Sequence, residues 1–234
     1  MKENKIWNDY LPEDMQEHWT VYECLKESED SSTFLVKETV TGILCVLKWG
    51  RNRQAEFLRN EMEIMEKMAD RKLSGIPKTY RIFEENGEVY LVREYIEGMS
   101  LAQMVLQKGG ISEAEICRIS RKICQTAEQF QNPDEPMIHR DIKPENIVVT
   151  PGGEVVFIDF GTMRSYKKDG SRDTFVVGTR GTAAPEQYGY TQTDQRTDVY
   201  AIGQTMLYMV SESYEKNQLS ECCLLYTSPS PRDA

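Results

Sequence analysis

The sequence predicts an α+β fold with two lobes: an N-terminal lobe of five strands with one main helix, and a mainly helical C-terminal lobe. Three observations predict it. Apolar, β-prone segments alternate with polar turns between residues 19 and 93. An amphipathic pattern with helical spacing interrupts them at residues 54–69. Helical patterns then predominate, so we expect the two lobes to join near residues 94–98.

The N-terminal lobe begins with three strands between residues 19 and 49, which polar turns separate. Residues 54–69 form the predicted main helix because their apolar residues recur at helical spacing. These residues are Leu58, Met62, Met65 and Ala69. Two further strands are predicted at residues 80–83 and 89–93, and the turn at residues 84–87 joins them.

The C-terminal lobe begins with a helix, which Ser112 and Glu115 introduce as a capping box. Two short strands follow at residues 147–149 and 155–158. A long loop rich in Gly, Thr and Ser comes next, and a last helix begins near Asp198.

Composition and charge exclude several classes of protein. The chain has 234 residues with 28 basic and 38 acidic side chains, and its net charge of −10 argues against a general nucleic-acid binder. No apolar segment approaches the roughly 20 residues that cross a bilayer, and the N-terminus has no signal-peptide core. The six cysteines form no C-x-x-C pair and fit reduced thiols, so we expect a cytoplasmic protein.

Three short motifs follow one another in the C-terminal lobe. They are His139-Arg-Asp-Ile-Lys-Pro-Glu-Asn146, Asp159-Phe-Gly161 and Ala184-Pro-Glu186, and Lys48 precedes them at the end of a strand. This ordered set, over about residues 19–222, resembles the eukaryotic-like Ser/Thr protein kinases, and a bacterial member is expected. The resemblance implies a kinase fold and transfer of a phosphoryl group from ATP to a protein Ser/Thr hydroxyl in signalling.

The resemblance implies roles for five residues. Asp141 would act as the base or orienter of the substrate hydroxyl, and Lys143 would stabilise charge on the transferring phosphoryl group. Asn146 and Asp159 would offer oxygen ligands to Mg²⁺ or Mn²⁺. Lys48 would hold the α- and β-phosphates of ATP. A lysine at the position of Lys143 is typical of Ser/Thr kinases rather than Tyr kinases.

The partner of Lys48 is expected to be a carboxylate on the main helix. Alignment with the family favours Glu61, with Glu63 as the alternative. The resemblance also implies that backbone groups of Glu94 and Ile96 bind adenine in the hinge. Side chains there say little about function, and Ile96 could equally be plain hinge packing.

The segment that aligns with the glycine-rich phosphate loop of the family, residues 27–32, contains no glycine. Glycine normally lets backbone N–H groups approach phosphates closely. Ser28 and Ser31 are the candidate phosphate-binding residues here, whereas Glu29 and Asp30 would place negative charge near the ligand. We therefore expect weaker ATP binding than in a typical family member, or a loop held further from the nucleotide.

Arg93 occupies the gatekeeper position behind the adenine pocket, where the family usually has an apolar or small residue. An unpaired buried charge is costly, so Arg93 must reach either solvent or a carboxylate. Glu61 and Asp159 are both conceivable partners.

The loop between the second and third motifs contains the expected regulatory residues. An Arg at the position of Arg140 often pairs with a phosphorylated residue in this family. Thr174 lies nearest the usual spacing, so autophosphorylation is expected there. Thr179 resembles the Ser/Thr-kinase threonine that contacts the catalytic Asp and Lys. Thr182 stands where the family commonly has an aromatic residue.

The chain divides into four predicted segments: an N-terminal extension at 1–18, the two lobes at 19–95 and 96–222, and a tail at 223–234. The extension is expected either to pack on the N-terminal lobe or to bind a partner. The tail resembles one reading frame of a transposon-type sequencing adapter, with a genuine Ser/Pro-rich linker as the alternative.

On the adapter hypothesis the C-terminal lobe is incomplete. The family pairs a glutamate at the position of Glu186 with a distant arginine, which this chain would lack, so we expect a polypeptide of low stability. The chain contains no membrane segment, although the full-length protein could be membrane-anchored with its kinase inside the cell.

Three functions are compatible with the resemblance. The first is an ATP- and Mg²⁺-dependent protein Ser/Thr kinase. The second is a pseudokinase that acts as a nucleotide-binding or regulatory module; the glycine-free loop favours it, and the intact Lys48, Asp141, Asn146 and Asp159 oppose it. The third is a small-molecule kinase of the aminoglycoside-phosphotransferase type, which Lys143 and the Ala-Pro-Glu motif oppose.

Overall fold

The computed structural model describes residues 11–68, 71, 73–109, 111–131, 135–166, 177–188 and 192–211. The chain forms two compact units. The first contains Met1–Glu97 together with Ile158–Thr162, and the second contains Gly98–Phe157 and Met163–Ala234. The short segment that carries Asp159 therefore belongs to the first unit.

The first unit contains the predicted five-stranded sheet, which is antiparallel throughout and has the order β1-β2-β3-β5-β4. Its strands are Trp19–Glu27 (β1), Ser31–Glu38 (β2), Leu44–Gly50 (β3), Thr79–Glu85 (β4) and Glu88–Glu94 (β5). The central strands β3 and β5 are buried along almost their whole length, because both faces of the sheet are covered. The expected fold class of this unit is confirmed.

A helix packs on each face of the sheet. The main helix α2, Arg53–Met68, places Ala55 and Leu58 against Leu91 of β5. The short helix α1, Glu13–Gln16, lies on the opposite face. Leu11, Met15 and Trp19 are buried there in one apolar cluster with residues of β2, β3 and β5. The described part of the N-terminal extension thus packs on this unit.

The second unit is mainly helical in its described part. Its helices are Leu101–Lys108 (α3), Glu113–Glu128 (α4) and Gln195–Ser211 (α5). Short strands form two small sheets, one of Met99–Ser100 (β6), Ile147–Val149 (β8) and Val155–Phe157 (β9), and one of Met137–Ile138 (β7) and Arg164–Ser165 (β10). None of the described helices is long and apolar enough to cross a membrane.

Local capping explains where the first two of these helices begin. Ser100 and Gln103 form a complete capping box at α3, and Gly109 ends that helix with a left-handed φ of 61°. At α4 the Ser112 hydroxyl accepts the Glu115 backbone N–H, which is one half of the predicted capping box. The Glu115 carboxylate accepts hydrogen bonds from Lys108 at 3.0 and 3.1 Å. This side chain therefore ties α4 to the end of α3.

Candidate active site

A buried ion pair lies in the first unit between β3 and α2. The Lys48 ammonium donates to the Glu61 carboxylate at 2.7 Å and lies 3.4 Å from the Asp159 carboxylate. Glu61 is only 1% exposed. Glu63 points to the exposed side of α2 and pairs with Lys67 at 2.7 Å. Of the two carboxylates considered as the partner of Lys48, the structure thus pairs it with Glu61.

Burial and neighbouring charge act in opposite directions on Glu61. Burial raises the pKa of its carboxyl group, and the nearby Asp159 charge raises it further. Lys48 and Arg93 lower the same pKa because they favour the ionised form. The ion pair with Lys48 is therefore what makes a charged Glu61 tolerable inside the unit.

The segment that carries Asp159 is fastened to α2. The Asn60 side chain donates to the Gly161 carbonyl at 2.9 Å, and the Gly161 N–H donates to Asp159 at 3.3 Å. A Cβ at position 161 would lie 3.1 Å from the Phe57 Cβ and 3.2 Å from its carbonyl oxygen. Only glycine fits this approach without a shift of the helix, so the third residue of the second motif has a packing function.

The turn between β1 and β2 is closed on itself. The Ser28 N–H and hydroxyl both donate to the Ser31 carbonyl, at 2.8 and 2.9 Å, and the two hydroxyls lie 2.8 Å apart. The groups that were candidates for phosphate binding are thus hydrogen-bonded to each other.

Asp30, at the tip of this turn, has a positive partner. Arg51 donates to its carboxylate at 2.9 Å, and Asn52 donates to the same oxygen at 3.1 Å. Arg51 also donates to the Glu29 carbonyl at 3.0 Å. The expected negative charge at the turn is therefore partly offset, and the turn is tied to the end of β3.

The hinge residues lie at the end of β5 and just beyond it. Glu94 is the last residue of β5, and its N–H donates to the Lys78 carbonyl at 2.8 Å. Its carboxylate accepts the Lys78 N–H at 3.0 Å. Ile96 is half-buried and lies outside regular secondary structure.

Arg93 precedes the hinge and is 4% exposed. It lies opposite Val46 in the pairing of β5 with β3. Its Nε and Nη1 atoms have no hydrogen-bond partner among the described residues. Burial lowers the pKa of the guanidinium, and the charges of Glu61 and Asp159 raise it. Glu61 and Asp159, the two carboxylates that the sequence suggested as partners, thus attract the Arg93 guanidinium electrostatically.

The second unit contains a separate group of charged side chains around Asp141. The Lys143 ammonium lies 2.8 Å from the Asp141 Oδ2 atom and donates to the Thr179 hydroxyl at 2.7 Å. That hydroxyl in turn donates to the Asp141 Oδ1 atom at 2.8 Å. The three side chains form a closed triangle, so the Asp141 carboxylate has a fixed orientation.

Asn146 completes this group. Its Nδ2 atom donates to the Asp141 carbonyl at 3.0 Å and to the Asp141 carboxylate at 2.9 Å. The short 3₁₀ turn Pro144–Asn146 brings the amide back to this position. Because both N–H bonds of the amide are used within the loop, its oxygen is the atom left to face a cation.

Two residues that sequence reasoning missed hold the backbone of this loop. Arg140 has a left-handed φ of 68°, which costs energy for a non-glycine residue. Asp198 of α5 accepts the N–H groups of His139 and Arg140, each at 2.9 Å. Gln187 donates to the Arg140 carbonyl at 2.7 Å and to the Val177 carbonyl at 2.9 Å.

Both are buried, Asp198 to 2% exposure and Gln187 to 4%. Burial raises the pKa of Asp198 to about 6, although the two backbone hydrogen bonds and Arg140 lower it. A charged residue among the apolar residues of α5 was a sequence signal for Asp198. Gln187, directly after the third motif, gave no comparable signal.

Glu186 has a different partner from the distant arginine that the family implies. Its carboxylate accepts the Thr197 hydroxyl at 2.6 Å. Thr182 is 2% exposed, and its hydroxyl donates to the Thr179 carbonyl at 3.3 Å. Thr174 lies outside the described residues.

Comparison with known proteins supports one family. Residues 20–221 match the protein kinase domain family. Serine/threonine-protein kinase D of Synechocystis sp. is 32% identical over 164 residues, which cover 67% of this chain and 31% of that protein. Serine/threonine-protein kinase PknA of Nostoc sp. is 30% identical over 164 residues, which cover 67% of this chain and 28% of that protein.

A eukaryotic protein is also similar. Serine/threonine-protein kinase cds1 of Schizosaccharomyces pombe is 27% identical over 177 residues, which cover 72% of this chain and 37% of that protein. The chain thus spans about a third of the length of these relatives.

Proposed function

This chain belongs to the protein kinase family, and we propose that it transfers the γ-phosphoryl group of ATP to Ser or Thr hydroxyls of a protein substrate. One observation carries the proposal. The Asp141 carboxylate is oriented by Lys143 and by the Thr179 hydroxyl, at 2.8 Å each. This arrangement suits a group that must accept a hydroxyl proton beside a cation that stabilises the phosphoryl group.

We propose that Lys48 holds the α- and β-phosphates of the nucleotide. The ion pair with Glu61 supports this role because it fixes the ammonium within the first unit. The backbone of Glu94 and Ile96 would bind adenine. Ser28 and Ser31, which bond each other, could reach phosphate only if their turn opened.

We propose that Asn146 and Asp159 are ligands of a hard divalent cation. Asn146 offers an amide oxygen and Asp159 a half-exposed carboxylate, which are the oxygen ligands that Mg²⁺ or Mn²⁺ prefers. No group of three or more His, Cys, Asp or Glu side chains suited to a metal occurs among the described residues. A bound cation would neutralise charge on the phosphates.

The chemical step needs no covalent intermediate with the protein. The substrate hydroxyl oxygen forms a bond to the γ-phosphorus while the bond from that phosphorus to the bridging oxygen breaks, and ADP leaves. Asp141 takes the hydroxyl proton. Lys143 lies beside Asp141 and stabilises charge on the transferring group. The Thr179 hydroxyl holds the Asp141 and Lys143 side chains in fixed positions relative to each other.

A second candidate function is that of a pseudokinase acting as a binding module. The closed turn at Ser28 and Ser31 specifically favours it, because the groups that would contact phosphate are hydrogen-bonded within the turn. We infer that the enzyme is the better reading, since Lys48, Glu61 and Asp141 all have the partners that phosphoryl transfer requires.

The Asp141→Asn variant separates the two functions. In an enzyme it should abolish phosphate transfer from labelled ATP to a general acceptor such as myelin basic protein, while nucleotide binding persists. Glu128→Gln, an exposed change at the end of α4 in the same unit, is the matched control and should keep full activity. Wild-type protein that binds ATP but transfers no more phosphate than Asp141→Asn would refute the enzyme and support the binding module.

We further propose autophosphorylation at Thr174 and a cytoplasmic location. Among the described residues, Cys24, Cys45, Cys117 and Cys124 are thiols that form no disulfide, which supports a reducing compartment. Phosphopeptide mapping of the active protein tests the first point, and an absence of phosphate between residues 162 and 182 would refute it.

A further inference from the structure

Arg93 places a second positive charge on the sheet face that carries Lys48. Residues that oppose each other in antiparallel strands share a face, and Arg93 opposes Val46, two residues from Lys48. Leu91, on the same face, packs against α2. Lys48 and Arg93 are 9% and 4% exposed, so water screens neither charge well.

The buried charges on this face do not balance. Lys48 and Arg93 bring two positive charges, whereas Glu61 is the one buried carboxylate among the groups that act on Arg93. Lys48 already uses that carboxylate at 2.7 Å. Asp159 supplies the second negative charge, but 44% of its side chain is exposed. The buried part of the cluster therefore carries a surplus of one positive charge.

We propose that Arg93 is an electrostatic determinant of polyphosphate binding, which strengthens the attraction of this site for the nucleotide phosphates held at Lys48. The proposal rests on the proposed nucleotide-binding function of the site. Arg93 would supply the attraction for phosphate that residues 27–32 lack. That segment has no glycine, and the Ser28 N–H is already bonded to the Ser31 carbonyl. A cation on a rigid strand takes the place of N–H groups on a flexible loop.

The unpaired nitrogens of Arg93 favour a role toward a ligand over a purely structural one. A guanidinium kept for stability should satisfy its donors, because a buried donor without a partner destabilises the folded state. Here Nε and Nη1 have no partner among the described residues. Arginine keeps its proton even when buried, so the charge persists.

An electrostatic contribution of Arg93 can be distinguished from a packing contribution by how the loss of affinity depends on the charge of the ligand. The attraction between a fixed charge and a ligand grows with the ligand charge. Loss of the Arg93 charge should therefore weaken ATP most, ADP less, and adenosine hardly at all. A change in packing behind the adenine pocket would weaken all three alike.

Isothermal titration calorimetry on the whole chain can measure this series with adenosine, ADP and ATP at constant ionic strength and excess Mg²⁺. For Arg93→Met we expect Kd to rise roughly tenfold for ATP, about threefold for ADP, and by less than about twofold for adenosine. Arg93→Lys restores the charge and should keep ATP affinity within about threefold of the wild type. Arg81→Met, at an exposed position of β4, is the control for overall charge and should change none of the three.

The outcomes separate this inference from the proposed function. Lys48→Met tests that function in the same assay: if it leaves ATP affinity unchanged, the phosphate site itself is wrong. If Lys48→Met weakens ATP but Arg93→Met does not, or weakens adenosine equally, the inference about Arg93 is wrong. Circular dichroism shows whether Arg93→Met folds, and Arg93→Gln replaces it in the series if it does not.

Discussion

Replacement of Asp198 by Asn should damage catalysis much more than stability. The side chain keeps its shape, but one accepting oxygen becomes an NH₂ group. Both oxygens are in use, since they accept the backbone N–H groups of His139 and Arg140 at 2.9 Å each. One of these N–H groups would then face a donor. The left-handed Arg140, which directly precedes Asp141, would lose a restraint.

Two opposing contributions set the change in stability. A buried N–H group without an acceptor costs about 1–3 kcal/mol. Burial raises the pKa of Asp198 from 3.8 to about 6, so its charge costs about 3 kcal/mol at pH 7, which Asn does not incur. The net change in the free energy of unfolding at pH 7 should therefore stay within about 2 kcal/mol. A displaced Asp141 should lower kcat by roughly 10–100-fold.

The pH dependence of the free energy of unfolding separates the contribution of the Asp198 charge from that of its hydrogen bonds. Because the pKa of Asp198 is higher in the folded than in the unfolded chain, its contribution to stability is fully present below pH 3.8 and is lost as pH rises through about 6. Asp198→Asn lacks this dependence. The stability of the wild type relative to the variant should thus fall by about 2 kcal/mol between pH 4 and pH 7.

Urea unfolding at several pH values measures this difference, and phosphate transfer at pH 7.5 measures kcat. Asp14→Asn, at an exposed position of α1, controls for removal of a carboxylate and should leave both nearly unchanged. The reasoning fails if kcat of Asp198→Asn equals that of the wild type. It also fails if the stability difference does not vary with pH.

Two further substitutions test the second unit. Gly98→Ala should lower the free energy of unfolding by about 2–4 kcal/mol in chemical denaturation, because φ is 153° and the new Cβ would lie 2.8 Å from Val148 Cγ1. The control is Gly203→Ala in α5, where a Cβ meets open space, so this variant should not be destabilised. Equal losses of stability in the two variants would contradict the steric argument. Thr179→Val should lower kcat by roughly 10–100-fold at nearly unchanged KM for ATP, because it removes the hydroxyl that bridges Asp141 and Lys143. An unchanged kcat in the phosphate-transfer assay would show that the bridge is not needed.

The N-terminal sheet could be predicted because apolar, β-prone segments alternate with polar turns, and α2 because its apolar residues recur at helical spacing. Helix α3 was missed, although Leu101, Met104 and Val105 have helical spacing and Ser100 caps it. Helix α3 has only eight residues and follows directly on the two-residue strand β6. A segment this short resembles a loop between the two lobes when only the sequence is considered. Two-residue strands such as β6 leave no local pattern, because partners distant in sequence determine them.

The candidate site likewise has a part that the sequence predicts and a part that it does not. Motifs indicate which residue types do chemistry, and alignment with the family favoured Glu61 over Glu63. The contacts that fix Arg140 could not be predicted, since Asp198 lies 58 residues away in the chain and Gln187 lies 47 residues away. Such pairs depend on tertiary packing, for which a single sequence carries no periodic signal.

The first unit suggests how a kinase can bind phosphate without a glycine-rich loop. Backbone N–H groups offer partial charges that need close approach, and the donors of Ser28 are bonded to Ser31 instead. Full charges on buried side chains act over a longer range in a poorly screened setting. On our proposal Lys48 and Arg93 use that range, and Asp30 is kept from opposing them by its ion pair with Arg51. A site of this kind should discriminate ligands mainly by their charge.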